Sequence, residues 1–449
     1  MNQSMKHLIL PVETAARELD AKLLLSLHAV RRGITVTLGN KAQLNLDIHK
    51  LPLGIYLSHN FNAGRDRIIG IARQLGQRVV AWDEEGLVWI NEEIYRRRRA
   101  SPKAMKNLDA IFVWGHEQAH ALEQVQEMSL QVILAGNPRA DLLRPEIRPL
   151  YADRVTALRA EYGDFILINS NFGWINHALA HGDTGGDARD LEVVAAKSGF
   201  SLGYLRHRYA IYREIVSVLP QISRHFPNRR IVIRPHPSES DAGWRKAGAG
   251  LANVTVRYDS DLVPWLMAAS HIVHNGCTTA VETAMLDRMA ISFRPLIVEE
   301  HEIPQPHRVS MEARSLAQLI ELLSSKNLTD NPPADRKAIL EHMVVSVSGP
   351  PSSQRIAEAL DVMFEKEFLL PPQWQRIAGR ASAIARKAEK YVKHFDASSP
   401  SNPAYYLHKF PAITADEITA RLHAIASLIN TEVPKVQQVS DRIFRFTPV

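Results

Sequence analysis

Two stretches of the 449-residue chain combine residue types that hold phosphate. One reads Arg234-Pro235-His236-Pro237-Ser238-Glu239, the other His274-Asn275-Gly276-Cys277-Thr278-Thr279. A guanidinium, an imidazole and hydroxyls can donate to phosphate oxygens, and a glycine lets backbone approach a ligand closely. A Thr pair at a helix start adds free N–H groups and the positive end of the helix dipole. Each feature alone has a plain alternative: the Thr pair as an N-cap, the His before Pro as a loop residue. Their pairing on successive strand ends points to a phosphate or nucleotide site. Asn169 and Asn171, after a third strand, are expected to line it with His177.

The elements that position these residues follow from local pattern. Ile231-Val232-Ile233 is a β-branched run stopped by prolines, which predicts a buried strand. A helix is expected over Leu262–Ala269, a strand over His271–His274, a helix over Ala280–Leu286 and a strand over Ala290–Phe293. Phe165–Ile168 is expected as a strand and Leu205–Leu219 as a long helix. Earlier, apolar runs at His7–Val12, Ile34–Leu38, Gly54–Leu57, Arg78–Trp82, Ala110–Trp114 and Gln131–Ala135 alternate with helical patterns. Such alternation predicts parallel sheets with ligands at the carboxyl ends of the strands.

These residues carry a resemblance. Arg-Pro-His-Pro-Ser-Glu followed by His-Asn-Gly-Cys-Thr-Thr-Ala resembles the bacterial surface carbohydrate biosynthesis proteins. It is more distantly similar to CMP-sugar glycosyltransferases of the GT-B fold, including Kdo transferases and bacterial sialyltransferases. Asn169-Ser170-Asn171-Phe172-Gly173, Gly136-Asn137-Pro138-Arg139-Ala140-Asp141 and His408-Lys409-Phe410-Pro411 fit the same family. The resemblance implies two Rossmann-like domains facing a cleft and transfer of a sugar, Kdo, from a CMP donor to a glycan acceptor. It implies that His236, Thr278 and Thr279 hold CMP, with Arg234, Pro237, Ser238, Asn275 and Gly276 around them.

Sugar transfer needs a phosphate clamp, a group to manage leaving-group charge, and a carboxylate as base or nucleophile. Glu239 and Asp241 follow the His-Pro pair and are expected nearest the donor, with Glu239 favoured as nucleophile. His274 is a candidate proton donor. Asp141 follows a first-domain turn and is read as a helix cap with catalysis as the alternative. Glu13, Glu84 and Glu85 end first-domain strands and are expected to face the acceptor. No Asp-x-Asp pattern ends a strand and a CMP-sugar carries one phosphate, so no essential metal and no cofactor are expected. Two other classes share these features: a polyol-phosphate transferase using CDP-glycerol, and a non-catalytic nucleotide-sugar-binding component of an assembly complex.

Composition sets the frame. A hydrophobic fraction of 45% and a charged fraction of 23% suit a globular protein of two or more domains. The single cysteine, Cys277, excludes an internal disulfide and a cysteine-built metal site. No signal peptide or membrane span is legible, so a cytoplasmic location is expected. A net charge of +6 without a nucleic-acid motif favours anionic substrates or lipid over nucleic acid. Expected domains are 1–148 (acceptor), 149–370 (donor) and 371–449, a helical extension. In the last, Gln373–Phe395 is a basic helix whose Ile377, Ala381, Ile384 and Ala388 lie at helical spacing. It is read as a packing helix with a solvated basic face, or as a peripheral contact with anionic inner-membrane lipid. The Gly- and Asp-rich segment 181–190 is read as a surface loop, with a lid as the alternative. Residues 396–402 are read as a linker, Thr414–Asn430 as an amphipathic helix and Arg442–Thr447 as an edge strand.

Overall fold

The computed structural model describes residues 6–125, 130–176, 191–236, 238–258, 261–328, 332–395 and 402–449. Pro237, His177, the expected lid at 181–190 and most of the 396–402 linker lie outside these residues. The chain forms two compact units. The first takes the chain up to Leu87, then Glu92–Leu150 and Glu341–Val449. The second takes Val88–Asn91 and Tyr151–Leu340.

The first unit is built on an eight-stranded sheet. Its parallel strands are β1 (His7–Val12), β2 (Thr35–Asn40), β3 (Ile55–Ser58), β4 (Arg78–Trp82), β5 (Ala110–Val113) and β6 (Gln131–Leu134). Their spatial order is β2-β1-β3-β4-β5-β6, so connections leave β1 in opposite directions and a crevice is expected at its carboxyl end. The helix Ala15–Arg31 covers this sheet because Leu19, Leu23, Leu27 and Val30 recur on its buried face. Thr14 makes no side-chain cap there. Instead the Glu18 carboxylate reaches back and accepts the N–H groups of Glu13 and Thr14, both at 3.0 Å.

The second unit holds a six-stranded parallel sheet: β7 (Phe165–Asn169), β8 (Arg230–Arg234), β9 (Val254–Val256), β10 (His271–His274), β11 (Ile291–Phe293) and β12 (Met311–Ala313). The order β12-β11-β10-β7-β8-β9 is the 3-2-1-4-5-6 arrangement of a dinucleotide-binding sheet, with its switch between β7 and β10. Both faces of the strands are apolar and buried, with Ile166, Ile168, Ile231 and Ile233 on one and Leu167 and Val232 on the other, as parallel sheets require. The long helix Leu202–His225 supplies Ile211, Ile215, Leu219 and Ile222 to that core.

The boundary expected at 148/149 lies two residues from the division at Leu150/Tyr151, whereas the one expected at 370/371 has no counterpart. Residues 341–370 return to the first unit, where the helix Ser352–Glu365 packs on Ala15–Arg31. The segment 371–449 does not stand apart either. Its helices Gln373–Lys393 and Ala415–Leu428 pack on Asp66–Gln74 and Ala15–Arg31, and its hairpin joins the first sheet. The hairpin strand β14 (Ile443–Thr447) pairs antiparallel with β2 and with β13 (Lys435–Ser440), so β13, not β14, is the edge.

Gly39 makes that pairing close. A Cβ added there would run into the Arg442 carbonyl oxygen and lie 2.8 Å from Ile443 Cα. Gly39→Val should therefore displace the hairpin and lower unfolding free energy by about 1–3 kcal/mol. Amide exchange should rise through Lys435–Thr447; unchanged protection there would mean that the hairpin does not depend on β2.

Candidate functional site

The second unit's site grows from three adjacent strand ends, β10, β7 and β8. After β7 the chain runs Ser170-Asn171-Phe172, after β8 Pro235-His236, and after β10 Asn275-Gly276-Cys277 into the helix Thr278–Met285. The sheet registers His274 beside Asn169 and Asn169 beside Arg234, so the expected loops do meet. Gly276 has φ +67°, a backbone conformation that favours glycine, and turns the loop into the helix. Cys277, at the N-cap, makes no side-chain cap hydrogen bond.

Direct bonds join the three loops. Asn169 Nδ2–H donates to Thr279 Oγ1, and Asn171 Nδ2–H donates to the Gly276 carbonyl at 3.1 Å. Asn169 Oδ1 is buried and has no hydrogen-bond partner among the described residues. A buried amide oxygen in this position suits a donor brought by a ligand. On the β8 loop, Ser238 N–H donates to His236 Nδ1 at 3.2 Å, and Ser238 Oγ lies 2.8 Å from the same nitrogen. With Nδ1 accepting, the ring proton resides on Nε2. Arg234 is buried at the end of β8, and Thr278 and Thr279 open the helix as expected.

Arg208 and a cluster around Glu302, which the spacing does not reveal, complete this end of the sheet. Arg208, on the long helix, donates to the Asn171 carbonyl at 2.7 Å and to Asn275 Oδ1, tying the β7 and β10 loops together. Its guanidinium lies over the Phe172 ring at 4.6 Å. Glu302 accepts from His207 and pairs with His307 and Arg294, at 3.1, 3.0 and 3.1 Å. Burial alone would raise its carboxyl, but the two imidazoles and Arg294 hold it well below the ordinary glutamate value.

The four expected catalytic groups have other engagements. Glu239 is buried and accepts from Ser170 Oγ, Phe172 N and His236 N at 2.7, 2.7 and 3.2 Å, and from Trp244 Nε1 at 2.9 Å. Burial pushes its carboxyl up against those donors. This geometry makes it a brace between the β7 and β8 loops, rather than an uncommitted nucleophile. Asp241 is partly exposed and pairs with Arg245 at 2.7 Å, one turn along the next helix. His274 lies inside the sheet: its Nδ1 accepts the Gly276 N–H at 3.2 Å and its Nε2 faces Ser310 Oγ at 2.9 Å. Burial, with the nearby His307, lowers its pKa well below the ordinary value, which keeps it neutral. Asp141 belongs to the first unit and accepts the N–H groups of Ser352 and Ser353, both at 2.7 Å. It is a cap, as preferred, but of the Ser352–Glu365 helix rather than of its own.

The expected acceptor residues also converge, on the first unit's sheet. Glu13, His59 and Glu84 follow the neighbouring strands β1, β3 and β4. Glu13 pairs with Lys41 at 2.6 Å, His59 at 2.9 Å and Lys409 at 3.2 Å. Burial opposes its charge, yet His59 and Lys41 hold its carboxyl far below the usual range. Lys22 is buried between Glu18 and Glu84 at 2.6 and 3.2 Å. Glu84 Oε2 and His59 Nδ1 are buried without hydrogen-bond partners among the described residues. Glu85 is more exposed and pairs with Arg17 at 2.8 Å. Lys409 gives the His-Lys-Phe-Pro motif a role: Phe410 is buried, and the lysine reaches the end of β1 across nearly the whole sequence.

No protein-family model and no curated protein matches the chain. Solved structures do. UDP-GlcNAc 2-epimerase from Methanocaldococcus jannaschii superposes with a TM-score of 0.50 at 11% identity, over 79% of this chain and 99% of that one. The wall teichoic acid polymerase TagF, in a structure soaked with CDPG, gives 0.46 at 10% identity, over 81% and 89%. The S. aureus MnaA–UDP structure gives 0.45 at 10%, over 82% and 99%. The fold is thus GT-B-like, with two Rossmann-like domains.

Proposed function

We propose that this chain is a sugar-nucleotide enzyme of surface-polysaccharide biosynthesis whose second unit holds the donor. The observation that supports it is the meeting of three polar loops at the β7/β10 switch of a 3-2-1-4-5-6 sheet. The Thr278 helix start and the Gly276 backbone face the donor phosphate, and His236 with Nε2–H is the proton-bearing group beside them. Arg208 keeps the two loops in register and adds positive charge. The first unit's carboxylates at β1 and β4 serve the glycan acceptor. The narrower reading, a CMP-activated sugar and specifically Kdo, rests on the Arg-Pro-His-Pro-Ser-Glu and His-Asn-Gly-Cys-Thr-Thr resemblance. No metal is invoked, because one phosphate diester leaves little charge for a cation to neutralise.

In the transfer, an acceptor hydroxyl attacks the anomeric carbon, the bond from that carbon to the phosphate oxygen breaks, CMP leaves with one more negative charge, and the hydroxyl proton is released to solvent. The clamp stabilises the negative charge gathering on that oxygen. A hundredfold excess of CMP over its dissociation constant should stabilise the protein by about 2–3 kcal/mol. His236→Ala with Thr278→Ala should abolish the thermal shift. An undiminished shift in the double variant would remove this site assignment. UDP and CDP-glycerol run in parallel rank the donor chemistries, and donor hydrolysis by purified protein separates an enzyme from a binding component.

A further inference from the structure

The helix Gln373–Lys393 packs with its small side and exposes its apolar side. Gly379 and Ala383 are its buried residues, and a Cβ at Gly379 would lie 2.8 Å from Gln74 Cβ and 3.2 Å from Gln74 carbonyl carbon. That close approach seats the helix on Asp66–Gln74 through a narrow face. On the opposite side Trp374, Ile377, Ile384, Tyr391 and Val392 are 67%, 59%, 57%, 52% and 74% exposed, and Phe395 just beyond is 93% exposed. Ala381 and Ala388 fill the intervening turns and are exposed as well. The steps of three and four from position 374 to 395 make one continuous stripe, about 30 Å long at 1.5 Å per residue. The residues expected to pack, Ile377, Ala381, Ile384 and Ala388, are the ones that face solvent.

Charge identifies what covers the stripe. Arg376, Arg380 and Lys387 follow one flank, where Lys387 also pairs with Asp47 at 2.8 Å, and Lys393 lies on the other. Glu389 is the helix's sole acid and is already held by Lys393 at 2.7 Å and by Arg67. A second copy pairing antiparallel through the same stripe would bring like flanks together and set Arg380 against Lys387, which is repulsive. An anionic bilayer satisfies both features: acyl chains take the apolar stripe and lipid phosphates take the flanks. Trp374 and Tyr391 near its two ends suit the headgroup level.

We propose that the exposed face of Gln373–Lys393 lies in the surface of an anionic lipid bilayer, in the membrane plane. Among the described residues no helix is long and apolar enough to cross a membrane, so this face is a surface contact. The proposal does not depend on which donor the second unit takes.

The test is co-sedimentation of the full chain with phosphatidylcholine vesicles, with and without phosphatidylglycerol. Binding should require phosphatidylglycerol and fall with salt. Ile377→Glu with Ile384→Glu should weaken it more than tenfold at unchanged thermal stability, since both side chains face solvent. Arg376→Gln with Arg380→Gln should weaken it about thirtyfold, at ~1 kcal/mol for each cation lost. Equal affinity of the Glu variant and the native chain would overturn the proposal. So would equal binding to pure phosphatidylcholine. A self-association abolished by the Glu variant, without vesicle binding, would assign the stripe to a second copy instead.

Discussion

Glu239→Ala should lower unfolding free energy by about 3–5 kcal/mol, because it strands donors that the buried carboxylate now satisfies. Ser170, Phe172, His236 and Trp244 all point at it. Glu239→Gln keeps the shape but turns one acceptor oxygen into an NH2 facing donors, so about half the loss is expected. Nucleotide affinity should fall together with stability, since the carboxylate fixes the β7 and β8 loops against each other. A nucleophile behaves otherwise: stability and CMP affinity stay normal while turnover disappears. Chemical denaturation and CMP titration on the same samples separate the two. Intact-protein mass spectrometry in donor alone adds a direct check, and a glycosyl adduct that vanishes only in Glu239→Gln would restore the nucleophile.

The second large effect is expected in the first unit. Asp141 accepts the first N–H groups of Ser352–Glu365, a helix whose N-cap, Pro351, offers no side-chain cap. Burial pushes the Asp141 carboxyl up to about 6 despite the hydrogen bonds it receives. Asp141→Ala leaves those donors buried without partners and removes the anion from the positive end of the dipole. A loss of about 2–4 kcal/mol follows. Gly136, with φ +78°, brings the turn so near that a Cβ would strike Ser352 Oγ, so no side chain can replace the lost contact from that position. Asp141→Asn should recover part of the loss. Denaturation midpoints decide: a native midpoint with abolished transfer would instead make Asp141 a catalytic group.

Much of the second unit was legible because its signals are local. His271–His274 is bounded by Ser270 and Asn275-Gly276 and is a strand at those limits. The paired loops after β8 and β10 meet because parallel sheets put every carboxyl end on one edge. What stayed hidden depends on contacts far apart in sequence. Arg208 sits in an amphipathic helix among Arg206, Arg213 and Arg224, where an arginine reads as solvent face, yet it is buried between two loops. Ser352–Glu365 has a clear apolar period, but a period does not say which sheet the helix covers. The Gln373–Lys393 pattern marked the apolar side correctly and its packing wrongly. Apolar spacing suggests a core, whereas Gly379 and Ala383 won the contact by allowing closer approach. β13 carries Lys435, Gln437, Gln438 and Ser440 and lies at a sheet edge, so it lacked a strand's usual apolar signature.

The division of the chain has a consequence for how it folds during synthesis. The second unit is a single run from Tyr151 to Leu340 apart from Val88–Asn91, and it is complete before the ribosome reaches Glu341. The first unit is begun earlier and finished last, since its Ala15–Arg31 helix lacks its cover until Ser352–Glu365 and Ala415–Leu428 emerge. The leucine face of Ala15–Arg31 and the β2 edge that later pairs with Ile443–Thr447 are therefore exposed through most of translation. An apolar helix face beside an unpaired strand is a site for chaperone capture or for mispairing with a neighbouring nascent chain. The later-encoded unit thus reaches its native state first, and the earlier-encoded one must be kept open for it.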